Sequence, residues 1–267
     1  MFRDLTIERV CEDGEETRQD TVACEAPFTI NVNKRELVTL LCSPKDLDDL
    51  VRGFLFSSGL IRCIGDIEDI VLDTRRWVAD ARLVDKRLSQ ELFFKRMWTS
   101  GCGRGALFYN SLDILHRGKI TSDFRVGRAR LVRLAEELQV MSDGFKRSGG
   151  VHCAGLSDGE RIVVFREDIG RHNALDKALG AGLRQGLDFS RSLVLTSGRL
   201  SSEIVLKAKK GGIPIITSRS APTDQAVKLA RDFAMTLVGF VRGRRMNIYA
   251  AGQRVSGEKY GLRDTTP

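Results

Sequence analysis

One cysteine differs from the other five in its surroundings. Cys102 lies in the segment Gly101–Gly105 (Gly-Cys-Gly-Arg-Gly), which is too rich in glycine for the interior of a strand or helix. Glycine lets another large group approach the backbone closely, and Arg104 favours the thiolate, the nucleophilic form of cysteine. The local pattern therefore predicts either an exposed thiol that forms a covalent intermediate, such as a persulfide, or a buried cysteine in a tight turn.

The remaining cysteines give no sign of a metal centre. No two of the six stand in a Cys-x-x-Cys spacing, so the close ligand pairs of a zinc site are missing and we predict no metal. Cysteine by default behaves as a small buried hydrophobe. The apolar surroundings of Cys24, Cys42 and Cys63 favour this interpretation for those three.

Polar segments follow four predicted strands of the C-terminal half. The strands are 161–165, 192–196, 213–217 and 237–241, and each is followed by arginine, in most cases with hydroxyls or glycine. Ligands of open parallel sheets bind beyond the carboxyl ends of the strands, and helix N-termini there can hold phosphate. A single such loop would more simply contain capping serines and solvated arginines. Four loops on one edge favour a large ligand with several phosphates, contacted by Ser197, Arg199, Arg219, Ser220, Arg242, Arg244 and Arg245.

His172 is the histidine with the clearest polar surroundings. It lies near the start of a predicted helix, with Asp168 and Asp176 close in sequence. It either bonds a carboxylate to shape the turn, or it contacts a ligand or moves a proton near neutral pH. His152 and Cys153 lead into the same predicted sheet.

The elements that must position these residues fall into two groups. An N-terminal α+β domain over residues 1–120 contains strands at 28–32, 37–41, 67–72 and 77–83, and a helix that begins with Ser43 as N-cap and ends at Gly59. A helix over 123–144 bridges to a C-terminal α/β domain over residues 121–267. There strands alternate with helices at 174–183, 202–210 and 223–235, which predicts a mainly parallel sheet with helices on both faces.

Composition limits the classes of partner. The net charge of +8 favours an anionic partner, but no nucleic-acid-binding motif accompanies it, so we expect none. The chain has no long apolar stretch and does not begin with a secretory signal. We therefore expect a cytoplasmic protein that does not span a membrane.

Three blocks of sequence resemble the FdhD/NarQ family, the formate dehydrogenase accessory sulfurtransferases. The blocks are Gly149–His152 with 166–177 (Arg-Glu-Asp-Ile-Gly-Arg-His-Asn-Ala-Leu-Asp-Lys), then Ser197–Arg199 with Glu203, Lys207 and 212–214, and finally 220–223 with 236–240 and 247–249. The N-terminal half agrees more loosely, so the resemblance covers about residues 20 to 255.

This resemblance implies a function and a site. Members of the family take sulfur from an IscS-type cysteine desulfurase and hold it as a persulfide on a loop cysteine. They pass it to the bis-molybdopterin guanine dinucleotide cofactor (Mo-bis-MGD) of formate dehydrogenase. The carrier corresponds to Cys102, and the cofactor-binding stretch corresponds to Val241, Arg242, Gly243, Arg244, Arg245 and Met246. Asp168 and His172 join the expected cofactor contacts, and GDP is the expected mimic. The resemblance also implies a cytidine-deaminase-like C-terminal fold and a homodimer.

One departure from the family pattern leaves a second function open. The family loop reads Cys-Gly-x-Cys-Gly, whereas Gly105 stands here in place of the second cysteine. One thiol can still hold sulfur, but it must release it directly or through another thiol such as Cys153. The alternative is a chaperone that binds the cofactor without moving sulfur. A zinc deaminase is excluded because neither His-x-Glu nor Pro-Cys-x-x-Cys is present.

Overall fold

A computed structural model describes residues 1–85, 96–98, 106–108 and 118–257, with the strand backbone alone at 96–98 and 106–108. In chain order the helices are α1 (Leu47–Ser57), α2 (Arg128–Met141), α3 (Asp143–Ser148), α4 (Arg171–Arg184), α5 (Ser202–Lys210) and α6 (Asp224–Asp232). The strands are β1 (Phe2–Cys11), β2 (Gly14–Ala23), β3 (Ala26–Val32), β4 (Arg35–Cys42), β5 (Ile67–Asp73), β6 (Val78–Leu83), β7 (Arg96–Trp98), β8 (Ala106–Phe108), β9 (Val126–Gly127), β10 (His152–Ser157), β11 (Ile162–Asp168), β12 (Leu193–Thr196), β13 (Ile215–Ser218), β14 (Thr236–Arg242), β15 (Arg245–Ala250) and β16 (Val255–Ser256).

The N-terminal part is α+β, as predicted. Its four-stranded sheet has the order β4-β3-β6-β5, and α1 packs beside it. Phe28, Ile30 and Val32 of β3 are fully or almost fully buried, which confirms the predicted alternation along this strand. The hairpin of β1 and β2, mostly exposed, precedes this sheet.

The C-terminal sheet is mixed, which corrects the prediction of a mainly parallel one. Its order is β11-β10-β12-β13-β14-β15, and only β12–β13 and β13–β14 pair in parallel. The strands β10 and β15 are additions to the predicted set. Both run antiparallel to the strands beside them. Short connections join β10 to β11 and β14 to β15, and a short connection can join antiparallel strands but not parallel ones.

Helices cover both faces of this sheet, as predicted. One face, with Leu156, Val194 and Ile216, shares a core with α4, α5 and α6. The opposite face, with Leu195, Ile215 and Val238, packs on α2. The predicted bridging helix is divided at Ser142 into α2 and α3.

The two parts of the chain meet where α1 crosses α4. A Cβ atom added at Gly53 would lie 1.7 Å from the backbone oxygen of Asp176, and one at Gly180 would lie 1.9 Å from that of Asp49. The two glycines therefore let the helix backbones touch. One hydrophobic core runs across this crossing from the N-terminal sheet to the C-terminal sheet. The boundary near residue 120 stays a prediction.

The helix α1 begins later than the sequence suggested. Its first residue is Leu47 and its N-cap position is Asp46, so Ser43 does not cap it. Ser43 is instead fully buried against the end of β11, where its Oγ accepts a hydrogen bond from the Ile169 backbone N–H at 3.1 Å. Gly59 follows the helix in a left-handed conformation (φ 85°), as the predicted C-terminal signal requires.

None of the helices in the described ranges is long and apolar enough to cross a membrane.

Candidate functional site

Four strands of the C-terminal sheet end at the same edge. The strands β12, β13 and β14 are parallel, and β10 is antiparallel to both β11 and β12, so β11 points the same way as these three. The four polar segments chosen from the sequence thus follow strands that end on one side of the sheet. This part of the prediction is correct even though the sheet is mixed.

A cleft of about 620 Å³ opens at this edge, on the α2 side of the sheet. Its walls include four of the predicted ligand contacts, which are Ser197, Arg219, Ser220 and Arg242. The other lining residues come from the end of α2, from α3, from the start of β10 with the segment before it, and from the residue after β11: Gln139, Ser142, Phe145, Gly149, Gly150, Val151, His152, Cys153 and Ile169. The helix residues carried no signal in the sequence, whereas Gly149–His152 belonged to the first family block.

Ser197 is held in place by the start of β10. Its Oγ accepts a hydrogen bond from the Cys153 backbone N–H at 3.0 Å and lies 3.2 Å from Nδ1 of His152. Its own backbone N–H donates to the Cys153 carbonyl at 3.0 Å. Burial and the Arg171 charge lower the pKa of His152, so this imidazole is neutral at pH 7.

Two arginines give the cleft its positive charge. The Nε of Arg242 donates to the Arg219 carbonyl at 2.9 Å, which ties the end of β14 to the loop after β13. The same loop is fixed by Ser218, whose Oγ donates to the Gly198 carbonyl at 2.6 Å and accepts from the Ser220 backbone N–H at 2.9 Å. Guanidinium groups bind phosphate oxygens through paired hydrogen bonds, so the cleft suits a phosphorylated ligand.

Several predicted contacts do not line this cleft. Val241 is 1% exposed and packs in the core against α2, and Met246 is half-buried against the same core. Gly243 (φ 55°) forms the turn between β14 and β15, beside the exposed Arg244 and Arg245. Arg199 is exposed on the loop after β12. Contact between these residues and the cofactor stays a prediction.

Protein donors surround the buried carboxylate of Asp168. It is fully buried, and its Oδ2 lies 2.6 Å from Nζ of the equally buried Lys177 and accepts from the Ser43 backbone N–H at 3.0 Å. Its Oδ1 accepts from the Gly170 backbone N–H at 2.8 Å and from Nδ2 of Asn173 at 3.0 Å. These donors occupy the carboxylate, so Asp168 positions the segment that follows β11. Its contact with the cofactor stays a prediction.

His172 lies in a second polar cluster, on the α4 and α5 side of the sheet. Its Nδ1 is 3.4 Å from Oε1 of Glu203, and within the described chain neither ring nitrogen has a hydrogen-bond partner. Burial and the charges of Lys207 and Arg171 lower the pKa of His172 to about 2, while burial raises the pKa of Glu203. His172 is therefore a neutral imidazole whose two ring nitrogens are buried, which does not suit proton exchange with solvent near pH 7.

A buried ion pair supports this cluster. Nζ of Lys207 donates to Oδ2 of Asp176 at 2.5 Å, and Ser57 Oγ of α1 donates to Oδ1 of the same carboxylate at 2.7 Å. Asp176 and Lys207 are 1% and 4% exposed, so neither charge is solvated. The pair links α5, α4 and α1 behind the strand ends.

The thiols differ in their surroundings. Cys102, the predicted carrier, lies outside the described residues. Cys42 is buried as expected, whereas Cys24 is only half-buried and Cys63 is exposed, which corrects the sequence-based expectation for Cys63. Cys63 lies at the start of an exposed turn rather than in a strand. Cys153 lines the cleft, is 2% exposed, and has its pKa raised mainly by burial.

The fold and the cleft define a class of protein. It is a mixed α/β protein whose C-terminal sheet presents a cleft lined by two arginines at one edge. The model of the FdhD/NarQ family matches residues 23–256, and the chain belongs to this family.

Individual relatives agree with this assignment. The chain is 41% identical over 242 residues to a sulfur carrier protein FdhD of Listeria innocua, covering 89% of this chain and 92% of the relative. It is 38% identical over 246 residues to the protein of the same name in Bacillus subtilis, covering 91% and 94%. A crystal structure of a candidate formate dehydrogenase accessory protein from Desulfotalea psychrophila is similar, with a TM-score of 0.79 at 28% identity, covering 96% of this chain and 99% of that one.

Proposed function

We propose that this protein is a sulfur carrier for formate dehydrogenase. In this proposal it receives sulfur from an IscS-type cysteine desulfurase as a persulfide on Cys102. It transfers the sulfur to Mo-bis-MGD, its substrate, whose guanine nucleotide part is held in the cleft. The names of the relatives support the transfer of sulfur, and the chemistry of the cleft supports the phosphorylated substrate.

The observation that carries the proposal is the pairing of two arginines with hydroxyls around the cleft. Arg219 and Arg242 supply fixed charge, and Ser220 adds a hydroxyl, so the donors match the oxygens of a diphosphate. Binding clefts for small molecules enclose roughly 300–1,000 Å³, and a cleft of about 620 Å³ therefore suits one nucleotide. The buried Asp168 and the hydrogen-bonded loop of Ser218 hold these groups in place before the ligand arrives.

The chemistry at Cys102 needs one thiolate. The Cys102 thiolate attacks the outer sulfur of the persulfide of the desulfurase. A new S–S bond forms as the old one breaks, and the desulfurase thiolate leaves. Because Gly105 replaces the second cysteine of the family loop, an internal disulfide cannot drive release. The substrate, with its molybdenum in the reduced form, instead supplies an electron pair to the outer sulfur, the S–S bond breaks and the Cys102 thiolate leaves. The molybdenum is thereby oxidised by two electrons and the sulfur is reduced to sulfide.

Labelling with sulfur tests the transfer. The protein is incubated with a cysteine desulfurase and ³⁵S-cysteine, and protein-bound label that a reductant releases is measured. We expect wild type and the control Cys63→Ala, which removes an exposed thiol, to hold label, and Cys102→Ala to hold none. Equal labelling of Cys102→Ala would remove Cys102 as the carrier. Absence of label on wild type with intact nucleotide binding would favour the chaperone without transfer.

Nucleotide binding tests the cleft. GDP is titrated into wild type and variants by calorimetry. Arg242→Ala and Arg219→Ala each remove a charged hydrogen bond, and we expect about tenfold weaker binding in each. Arg244, at the exposed turn after β14, does not line the cleft, so Arg244→Ala should weaken binding less than Arg242→Ala. The exposed Arg76→Ala serves as a charge-matched control. If Arg242→Ala binds GDP with the affinity of wild type, the cleft is not the site of the substrate.

The homodimer, the partners and the cytoplasmic location implied by the family stay predictions. Sedimentation of the purified full chain tests the first of them.

A further inference from the structure

We infer that His152 donates the hydrogen bond from the start of β10 to the ligand phosphate, and that Ser197 is a positioning residue that holds its ring. The inference rests on the proposed function, because it assumes that a phosphorylated nucleotide occupies the cleft. It reassigns one of the predicted contacts, Ser197, and adds a residue that no family block marked as a ligand.

Three polar groups of the protein already contact the Ser197 hydroxyl. The Cys153 backbone N–H donates to it, Nδ1 of His152 lies 3.2 Å away, and the Cys153 thiol also lies against it. A hydroxyl has one proton and two lone pairs, so these neighbours leave little capacity for a ligand. The Ser197 side chain is suited to fixing the imidazole rather than to contacting phosphate.

The ring of His152 has one nitrogen available. Nδ1 faces Ser197, whereas Nε2 has no hydrogen bond within the part of the chain that the structure describes, and the residue lines the cleft. A neutral imidazole carries its proton on one nitrogen and accepts on the other. Phosphate oxygens only accept, so a neutral ring beside a bound phosphate carries its proton on Nε2, and its Nδ1 accepts from Ser197. A protonated ring donates from both nitrogens, to the phosphate and to Ser197.

The charges around His152 determine how its protonation changes when the ligand binds. Asp168 is its cross-strand neighbour, and Arg171 and His172 lie at the start of α4. Arg219 and Arg242 share the cleft, and the neutral Cys153 thiol is adjacent in sequence. In the free cleft, burial and Arg171 outweigh Asp168 and keep the ring neutral. A bound phosphate adds negative charge and favours the imidazolium, so binding takes up a proton and strengthens as the pH falls.

The test needs a ligand that does not titrate in the same range. GDP-mannose carries a diphosphate diester with no pKa between pH 6 and 8, and its affinity is measured by calorimetry across that range. We expect wild type to bind several-fold more tightly at pH 6 than at pH 8. His152→Ala should bind about tenfold more weakly at pH 6 and lose the pH dependence. His152→Gln, whose amide N–H can reach the same oxygen, should recover part of the affinity without the pH dependence.

A double-mutant cycle separates the two roles. Ser197→Ala should weaken binding in the wild-type background and have no further effect in His152→Ala, because Ser197 acts through the ring. His116→Phe changes the third histidine of the chain and should keep the pH dependence. Thermal melting of each variant verifies that it is folded.

The outcomes separate this inference from the proposed function. Tight binding with unchanged affinity and pH dependence in both His152 variants would overturn the inference and leave the cleft as the nucleotide site. If the losses of binding free energy in the double-mutant cycle are additive, Ser197 contacts the phosphate independently of His152. Failure of wild type to bind GDP-mannose and GDP would overturn the cleft assignment and the His152 contact together.

Discussion

The crossing of α1 and α4 makes a sharp prediction about Gly53. In an exposed helix, Gly→Ala stabilises by about 1 kcal/mol, since alanine has the higher helix propensity. At Gly53 the added Cβ would lie 1.7 Å from the Asp176 backbone oxygen and 2.9 Å from the Gly180 backbone nitrogen. Both are backbone atoms of α4, so no side chain can rotate away, and the helices must separate.

The magnitude follows from the packing that this separation disrupts. An ordinary approach of carbon to oxygen needs more than about 3 Å, so the helices must move apart by over about 1 Å, and this weakens the dispersion attraction along the whole crossing. Overpacking of a core costs typically about 1–3 kcal/mol, occasionally more. The overlap with two backbone atoms places this variant at the upper end of that range. After the gain of about 1 kcal/mol in helix propensity, we expect Gly53→Ala to lower the free energy of unfolding by about 2 kcal/mol.

Urea denaturation followed by circular dichroism measures this change. A loss of about 2 kcal/mol corresponds to a fall of roughly 4–8 °C in Tm for a chain of this size. Gly65→Ala is the matched control, because its added Cβ would meet only the Cys63 Sγ at 3.7 Å, an ordinary contact. A Gly53→Ala protein as stable as Gly65→Ala would refute the close approach of the two helices.

Further predictions concern the buried charges and thiols. Lys207→Met leaves the Asp176 carboxylate buried without its cation and should cost about 3–5 kcal/mol in urea denaturation, with part recovered when Asp176→Asn is added. The pKa of His172 is about 2 when folded and about 6.5 when unfolded, so the unfolded chain binds more protons between these values. Stability should fall as the pH drops below about 6.5, and less steeply in His172→Gln than in wild type. Burial raises the pKa of the Cys42 thiol to about 12, whereas Cys11 is exposed. Peptide mapping after treatment with iodoacetamide at pH 8 should therefore find Cys11 alkylated and Cys42 unmodified. Rapid modification of Cys42 in the folded protein would contradict its burial.

The sequence alone determined the local elements and their polar ends. Apolar runs over 161–165, 192–196, 213–217 and 237–241 predicted four strands, and the structure has strands there. Periodicity reports which residues are buried within one element, and it succeeds because burial alternates along a strand. The same signals predicted helices on both sides of the sheet and the edge where the arginines gather.

The sequence could not order the strands. The short runs at β10 and β15 lack a period that distinguishes them from loops, so the sheet was expected to be mainly parallel. Strand order depends on pairing between distant segments, and no local pattern encodes it. The predicted N-cap of α1 at Ser43 is wrong for the same reason. Ser43 forms hydrogen bonds with Asp168 and Ile169, which are 125 and 126 residues away in sequence.

Only the tertiary structure decided which polar residues are available to a ligand. Asp168 and His152 are cross-strand neighbours at the same edge, yet the first is sealed by four donors and the second lines the cleft. Val241 stands beside Arg242 in sequence, but the former packs in the core against α2 and the latter lines the cleft. Residue type supplies the chemistry of the site. Availability depends on hydrogen-bond partners and burial, which arise only when segments far apart in the chain pack together.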